Sequence, residues 1–109
     1  MATNTFTRYL NKDVGTSASN VVTVGAATQT TVIGLSFANT SASPITASAY
    51  ITSSGTDYYL IKSATVPVGS SLVVVGGDQK VVMVTGDILK VVTSAAASAD
   101  VVTSVLNIT

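Results

Sequence analysis

The sequence predicts an all-β fold: an antiparallel β-sandwich or jelly-roll-like single domain of about eight or nine strands. Three observations predict it. β-Branched residues dominate, and no helical period is sustained along the chain. Gly, Pro, Ser, Asn and Asp break the sequence at intervals suited to antiparallel strands. A length of 109 residues fits one domain with a modest core.

The elements follow in order. NTFTRYLNKDV (4–14) reads as a first strand or an extended arm, and residues 1–19 form an N-terminal arm or edge strand. The sandwich domain then spans 20–109, opening with NVVTVGA (20–26) after the polar break GTSAS. In TQTTVIGLSFAN (28–39), alternation places Thr31, Ile33, Leu35 and Phe37 on one, buried face and leaves Val32, Gly34, Ser36 and Ala38 on a second, small and flat one. In ITASAYI (45–51), Ile45, Ala47, Ala49 and Ile51 point inward, and Thr46, Ser48 and Tyr50 outward. With TSASP between them, these two segments read as a hairpin.

SSGTD is the next turn, and YYLIKSATV (58–66) is a strand that Pro67 ends, since proline offers no amide to a ladder. LVVV (72–75), KVVMV (80–84) and ILKVVTS (88–94) are three more strands. AAASA (95–99) is a short break, and DVVTSVLNIT (100–109) closes the chain. Exposed valine runs would aggregate, so LVVV and KVVMV are expected to lie centrally or to pair across subunits.

Charge excludes several functions. Five basic and five acidic residues give a formal net charge of zero, and Arg8, Lys12, Lys62, Lys80 and Lys90 are scattered singly. No basic stripe invites nucleic acid or an anionic membrane. Only 9% of residues are charged, against about 25% in ordinary domains. So sparse a charge favours a surface covered by other copies or by partners. Cysteine is absent, which removes disulfides and thiolate metal sites. The N-terminal MATNTFTRYLNKDVG lacks the apolar core of a signal peptide.

The stretch SSLVVVGGDQKVVMVTGDILKVV (70–92) sets glycine beside acid and lysine, as phosphate and metal loops do. Its spacing does not fit a Walker loop, a strand rather than a helix follows, and Asp78 and Asp87 stand alone. The stretch therefore reads as tight turns: Gly76-Gly77-Asp78-Gln79 as a hairpin, and TGD (85–87) as the next.

Catalysis finds no foothold, because His, Cys, Glu and Trp are all missing. Serine nucleophiles lack an evident base, and the five aspartates sit in turns and at strand ends. No catalytic, cofactor or metal residue is assigned, and an enzyme is not expected. In GTDYYLIK (55–62), Tyr58 and Tyr59 fall on opposite faces of one strand, one ring in the core or at a sheet edge and the other free to meet a partner. Tyr50, Tyr58 and Tyr59, with Asp78, Gln79 and Lys80 of the glycine-rich break, make up the candidate interface.

From about residue 30 onward the chain resembles small structural proteins of tailed bacteriophages of the cyanobacterial and marine type. The resemblance rests on TDYYL-K, PVGSSL, GGDQKVV, GD-LKV and the final Asp-Val-Val strand. It implies a virion component made in the host cytoplasm, with an all-β fold and no cofactor. The role it implies first is a capsid decoration (cement) protein that contacts copies of itself, as a trimer, and the major capsid protein. The alternatives are a neck, tail or fibre-base protein and a carbohydrate-binding module using Tyr50, Tyr58 or Tyr59. Nucleic acid and membrane are not expected partners.

Overall fold

A computed structural model describes residues 3–76 and 79–109. Among them are nine strands: β1 (Asn4–Val14), β2 (Ser19–Thr23), β3 (Gln29–Asn39), β4 (Ile45–Ser53), β5 (Thr56–Val66), β6 (Ser71–Val75), β7 (Val81–Met83), β8 (Ile88–Thr93) and β9 (Ala99–Ile108). They form two antiparallel sheets packed as a sandwich. Sheet A has the order β1-β9-β3-β6, with β7 also paired to β3, and sheet B has the order β2-β8-β4-β5.

The strands lie where alternation and turn residues place them, but the pairing differs from two sequence expectations. β3 and β4 do not form a hairpin: β3 belongs to sheet A, and β4 to sheet B between β8 and β5. The break 40–44 is an arch between layers. Nor is the glycine-rich break a hairpin. β6 and β7 both pair with β3, at Leu35–Ala38 and Thr30–Val32 respectively, so they form one interrupted edge. A hydrogen bond from Gln79 N to Gly76 O, at 3.2 Å, spans the interruption. Gly77 and Asp78 lie outside the described residues.

TGD is a turn as expected, with Gly86 at φ 93° and Asp87 N donating to Val84 O. It carries the chain from sheet A to sheet B rather than folding a hairpin. Among the described residues, β4 and β5 are the consecutive strands that pair. Ser54 and Gly55 link them with φ of 52° and 80°, the two positive values that a type I′ turn needs.

One inserted residue overturns the face assignment of β3. Val32 pairs with Val105 and Gly34 with Ser104, so Ile33 is extra and forms a bulge. The bulge turns Thr30 and Val32 to the same side as Leu35 and Phe37, and all four are buried. Thr31 and Ile33, expected inside, are only half-buried. In β4 the alternation holds for Ile45, Ala47 and Ala49, which are buried, while Ile51 is half-buried.

Phe37, Leu35, Met83, Leu89, Val14 and Val32 are the largest wholly buried side chains. Buried polar groups at the sandwich ends are bonded. Thr93 Oγ1 reaches Val14 O at 3.2 Å, Ala95 O at 2.9 Å and Ser98 Oγ at 2.7 Å, closing the β1 and β9 ends against β8.

Candidate interaction surface

The two outer faces of the sandwich differ in kind. In a paired ladder, residues opposite one another project to the same face, so the register defines what each face presents. On sheet B, the row Asn20–Lys90–Tyr50–Tyr59 crosses the strands. That row is polar and aromatic, and the rows beside it pair Ile88 with Thr52 and Val92 with Ser48.

The outer face of sheet A carries most of the exposed large apolar side chains. One row runs Phe6–Leu106–Thr31–Val82 across β1, β9, β3 and β7. A second runs Leu10–Val102–Ser36–Val73 across β1, β9, β3 and β6. Between them lies the row Arg8–Ser104–Gly34, with the exposed Arg8 at its β1 end. Phe6 is 75% exposed, Leu10 60%, Val73 64%, Val82 64% and Val102 46%. Singly exposed apolar residues are ordinary, but two aligned rows on one flat sheet form a patch.

Beside Leu10 and Val102 is a shallow depression of about 340 Å³, also lined by Asn11, Lys12, Asp100 and Val101. Its rim is held electrostatically. Lys12 Nζ lies 3.1 Å from an Asp100 carboxylate oxygen, and Asp13 N donates to the other oxygen at 3.2 Å. The Asp13 amide first, and then the Lys12 ammonium, hold the Asp100 carboxyl below its usual range. The hydrogen bond from Lys12 to Asp100, with the attraction of that carboxylate, raises Lys12 in turn. The pair is exposed and keeps the rim neutral overall.

The residues singled out from sequence fall elsewhere. Tyr50 is buried on the outer face of sheet B because Tyr59 lies over it, with ring centroids 4.9 Å apart. Burial first, then the negative charge of Asp57, pushes the Tyr50 phenol up. Lys62 Nζ sits 4.9 Å from the Tyr59 ring centre, a cation–π contact. Tyr58 and Tyr59 are both exposed on the edge strand β5, so neither ring is in the core. They project to opposite faces of the sheet and share no platform. Gln79 and Lys80 are exposed beside β7, at the margin of the sheet A face, and Asp78 lies outside the described residues.

The valine runs do not lie centrally: β6 and β7 are the free edge of sheet A. Sequence reasoning passed over Phe6, Leu10, Val73, Val82 and Val102. The signal was present, since DVVTSVLNI places valine or leucine at both parities, the mark of a strand meeting apolar surroundings on both sides.

Among the described residues no three His, Cys, Asp or Glu converge to hold a metal ion. The aspartates act locally: Asp87 accepts the Val84 amide at 3.0 Å, and Asp57 accepts the Thr52 hydroxyl at 2.7 Å.

No family model and no curated protein matches the chain. Solved structures are similar in fold. A chain of the Bacillus endospore appendages, described as disulfide-linked pili, aligns with a TM-score of 0.56 at 14% identity, over 98% of this chain and 88% of that one. A chain of the T13 particle of infectious bursal disease virus gives 0.55 at 11% identity, over 98% of this chain and 34% of that one. This chain therefore spans about a third of that viral chain. A chain of the acidic stable capsid of Helicobacter pylori bacteriophage KHP30 gives 0.53 at 10% identity, over 100% of this chain and 94% of that one. At such identities the likeness is one of fold.

Proposed function

We propose that this protein is a structural subunit of a virus particle, a decoration subunit that seats the outer face of sheet A on a shell built from a major capsid protein. The observation that carries the reading is that face: two apolar rows, Phe6 to Val82 and Leu10 to Val73, open to solvent on one side of the sandwich only. Burial of such side chains contributes about 25 cal/mol per Å² before the costs of association. The depression beside Leu10 and Val102 is shaped to take an anchoring side chain of the shell.

The fold likeness supports this reading, above all the near full-length alignment with a phage capsid chain. The composition supports it too, with few charges and no His, Cys or Glu. Gln79 and Lys80, beside Val82, supply polar contacts at the rim of the docked face, and Tyr58 and Tyr59 at the β5 edge meet a lateral neighbour.

The test uses shells stripped of the protein. Added wild-type chain binds in many copies and raises the temperature at which the shell releases its genome. Val102→Asp and Val82→Asp retain their own melting temperatures, since both side chains are solvent-exposed, but fail to bind. Undiminished binding by both variants, or a shell equally heat-stable with and without the protein, overturns the proposal.

A further inference from the structure

We infer that β1 pairs antiparallel, edge to edge, with β1 of a second copy of this chain. The sandwich has free edges at β1 and at β6 with β7 in sheet A, and at β2 and β5 in sheet B. Natural sheets guard free edges with bulges, breaks and shortness. β2 has five residues and a bulge at Val21. β5 carries extra residues near Leu60 and Ser63, the latter at φ 54°. β6 is bulged at Val74 and cut from β7 by residues 76–80.

β1 has no such guard ahead of its bulge at Lys12–Asp13. Its register against β9 is unbroken from Asn4 to Asn11, and irregularity begins only between Asn11 and Val14. Thr3 and Thr109 exchange both backbone hydrogen bonds, which fixes the parity of the ladder. Odd-numbered residues of β1 bond to β9, and the N–H and C=O of Asn4, Phe6, Arg8 and Leu10 point away from it. Among the described residues nothing pairs with these groups. The strand most open to pairing also bears Phe6 and Leu10, the β1 ends of the two apolar rows.

The side chains select the occupant and the register. With Thr7 opposite the partner's Thr7 on a two-fold axis, Phe6 faces the partner's Arg8 and Asn4 faces the partner's Leu10. That register uses every outward group from Asn4 to Leu10 and makes eight backbone bonds, two at each of four residue pairs. It sets each Arg8 over an aromatic ring. Moving the axis to residue 8 would instead oppose Arg8 to Arg8, and like charges directly opposite are destabilising, while moving it to residue 6 would leave Leu10 outside the ladder and make six backbone bonds rather than eight. The product is a continuous sheet in which the two apolar faces lie side by side, doubling the surface offered to a shell. The pairing needs no particle and stands or falls separately from the virion reading.

The experiment is analytical ultracentrifugation of the purified full chain, with two kinds of variant. The wild type sediments as a concentration-dependent dimer. Arg8→Pro removes an outward N–H without removing any bond to β9 and raises the dissociation constant at least about tenfold. Arg8→Ala, which keeps that N–H, remains dimeric. Thr7→Cys, in a chain otherwise free of cysteine, oxidises to a disulfide-linked dimer, because residues at a non-hydrogen-bonded pair lie about 4.5 Å apart at Cα. This second readout does not depend on Arg8→Pro folding. A wild type monomeric at every concentration, a trimer indifferent to Arg8→Pro, or no disulfide through Thr7→Cys overturns the inference.

Discussion

Replacement of Asn39 by alanine should unpin the arch that joins the two sheets. Asn39 is buried at the end of β3. Its Nδ2 donates to Ser43 O and Val66 O at 3.0 Å and to Pro67 O at 3.3 Å. Its Oδ1 accepts from Ser41 N at 2.9 Å and Ser41 Oγ at 2.7 Å. One amide thus ties sheet A to the end of β5 in sheet B and shapes the connection between them. The Val66 bond matters most, because it alone of the five is buried. A buried carbonyl left unpaired costs about 1–3 kcal/mol, and the more exposed bonds add a smaller loss. A total of about 2–3 kcal/mol lowers the melting temperature of a domain this size by about 10 °C.

Circular dichroism melts at matched concentration measure the loss, and Asn39→Asp sharpens the test. That variant keeps the shape and the acceptor but turns a carboxylate oxygen toward three carbonyls. At neutral pH it should melt below Asn39→Ala. The three carbonyls disfavour the charged form, so the folded pKa is raised, and stability recovers as the pH falls through that value. A melting temperature for Asn39→Ala within about 2 °C of wild type would refute the reasoning.

Three further outcomes are expected. Thr103→Val should raise the melting temperature by about 4 °C, because the Thr103 hydroxyl is wholly buried with no protein partner and valine has nearly the same shape; a lower melting temperature would count against it. Gly86→Ala should destabilise by about 1–2 kcal/mol through backbone strain alone, since φ is 93° and nothing lies within 4 Å of the added Cβ; an unchanged denaturation midpoint in urea would contradict this. Asp100 has a lowered folded pKa, so its contribution is present above the ordinary carboxylate pKa and lost as pH falls through the folded value. The stability gap between wild type and Asp100→Asn should therefore shrink below about pH 4, and a constant gap down to about pH 2 would remove the role assigned to the Asp13 amide and Lys12.

Strand positions were legible because each strand is a local pattern. Val66 stops before Pro67, and Ser54-Gly55 reverses the chain in the two residues a tight hairpin requires. Pairing was not legible, because a turn signal states that the chain bends and not which sheet it enters. The breaks at 40–44 and 85–87 look like hairpin turns and are arches between layers. The Ile33 bulge was invisible for a related reason. In TTVIGLSF the adjacent Val32 and Ile33 fit either face, and which residue is inserted shows only against β9, some seventy positions away. The tyrosines drew attention through residue type. The apolar face of sheet A could emerge only once β1, β9, β3, β6 and β7 were known to be neighbours, since each strand adds only one or two of its side chains.

The two surfaces of sheet A bear on each other physically. An outward apolar face gains nothing for a lone monomer, and a long regular edge adds a hazard of uncontrolled stacking. β2, β5 and β6 each carry a bulge, and the β6–β7 edge is interrupted as well. Guarded edges elsewhere make the plain edge of β1 selective, because growth through β1 closes after one pairing when the axis is two-fold. A closed pair leaves its joined faces on one side of the assembly. Such an object can cover a shell without polymerising, which an open series of edge contacts could not do. Bulging β1 near Thr7 by a single-residue insertion should therefore abolish the pair while leaving the face of each monomer intact. Shell binding by that variant would weaken without vanishing, and its complete loss would mean that the face cannot act without the edge.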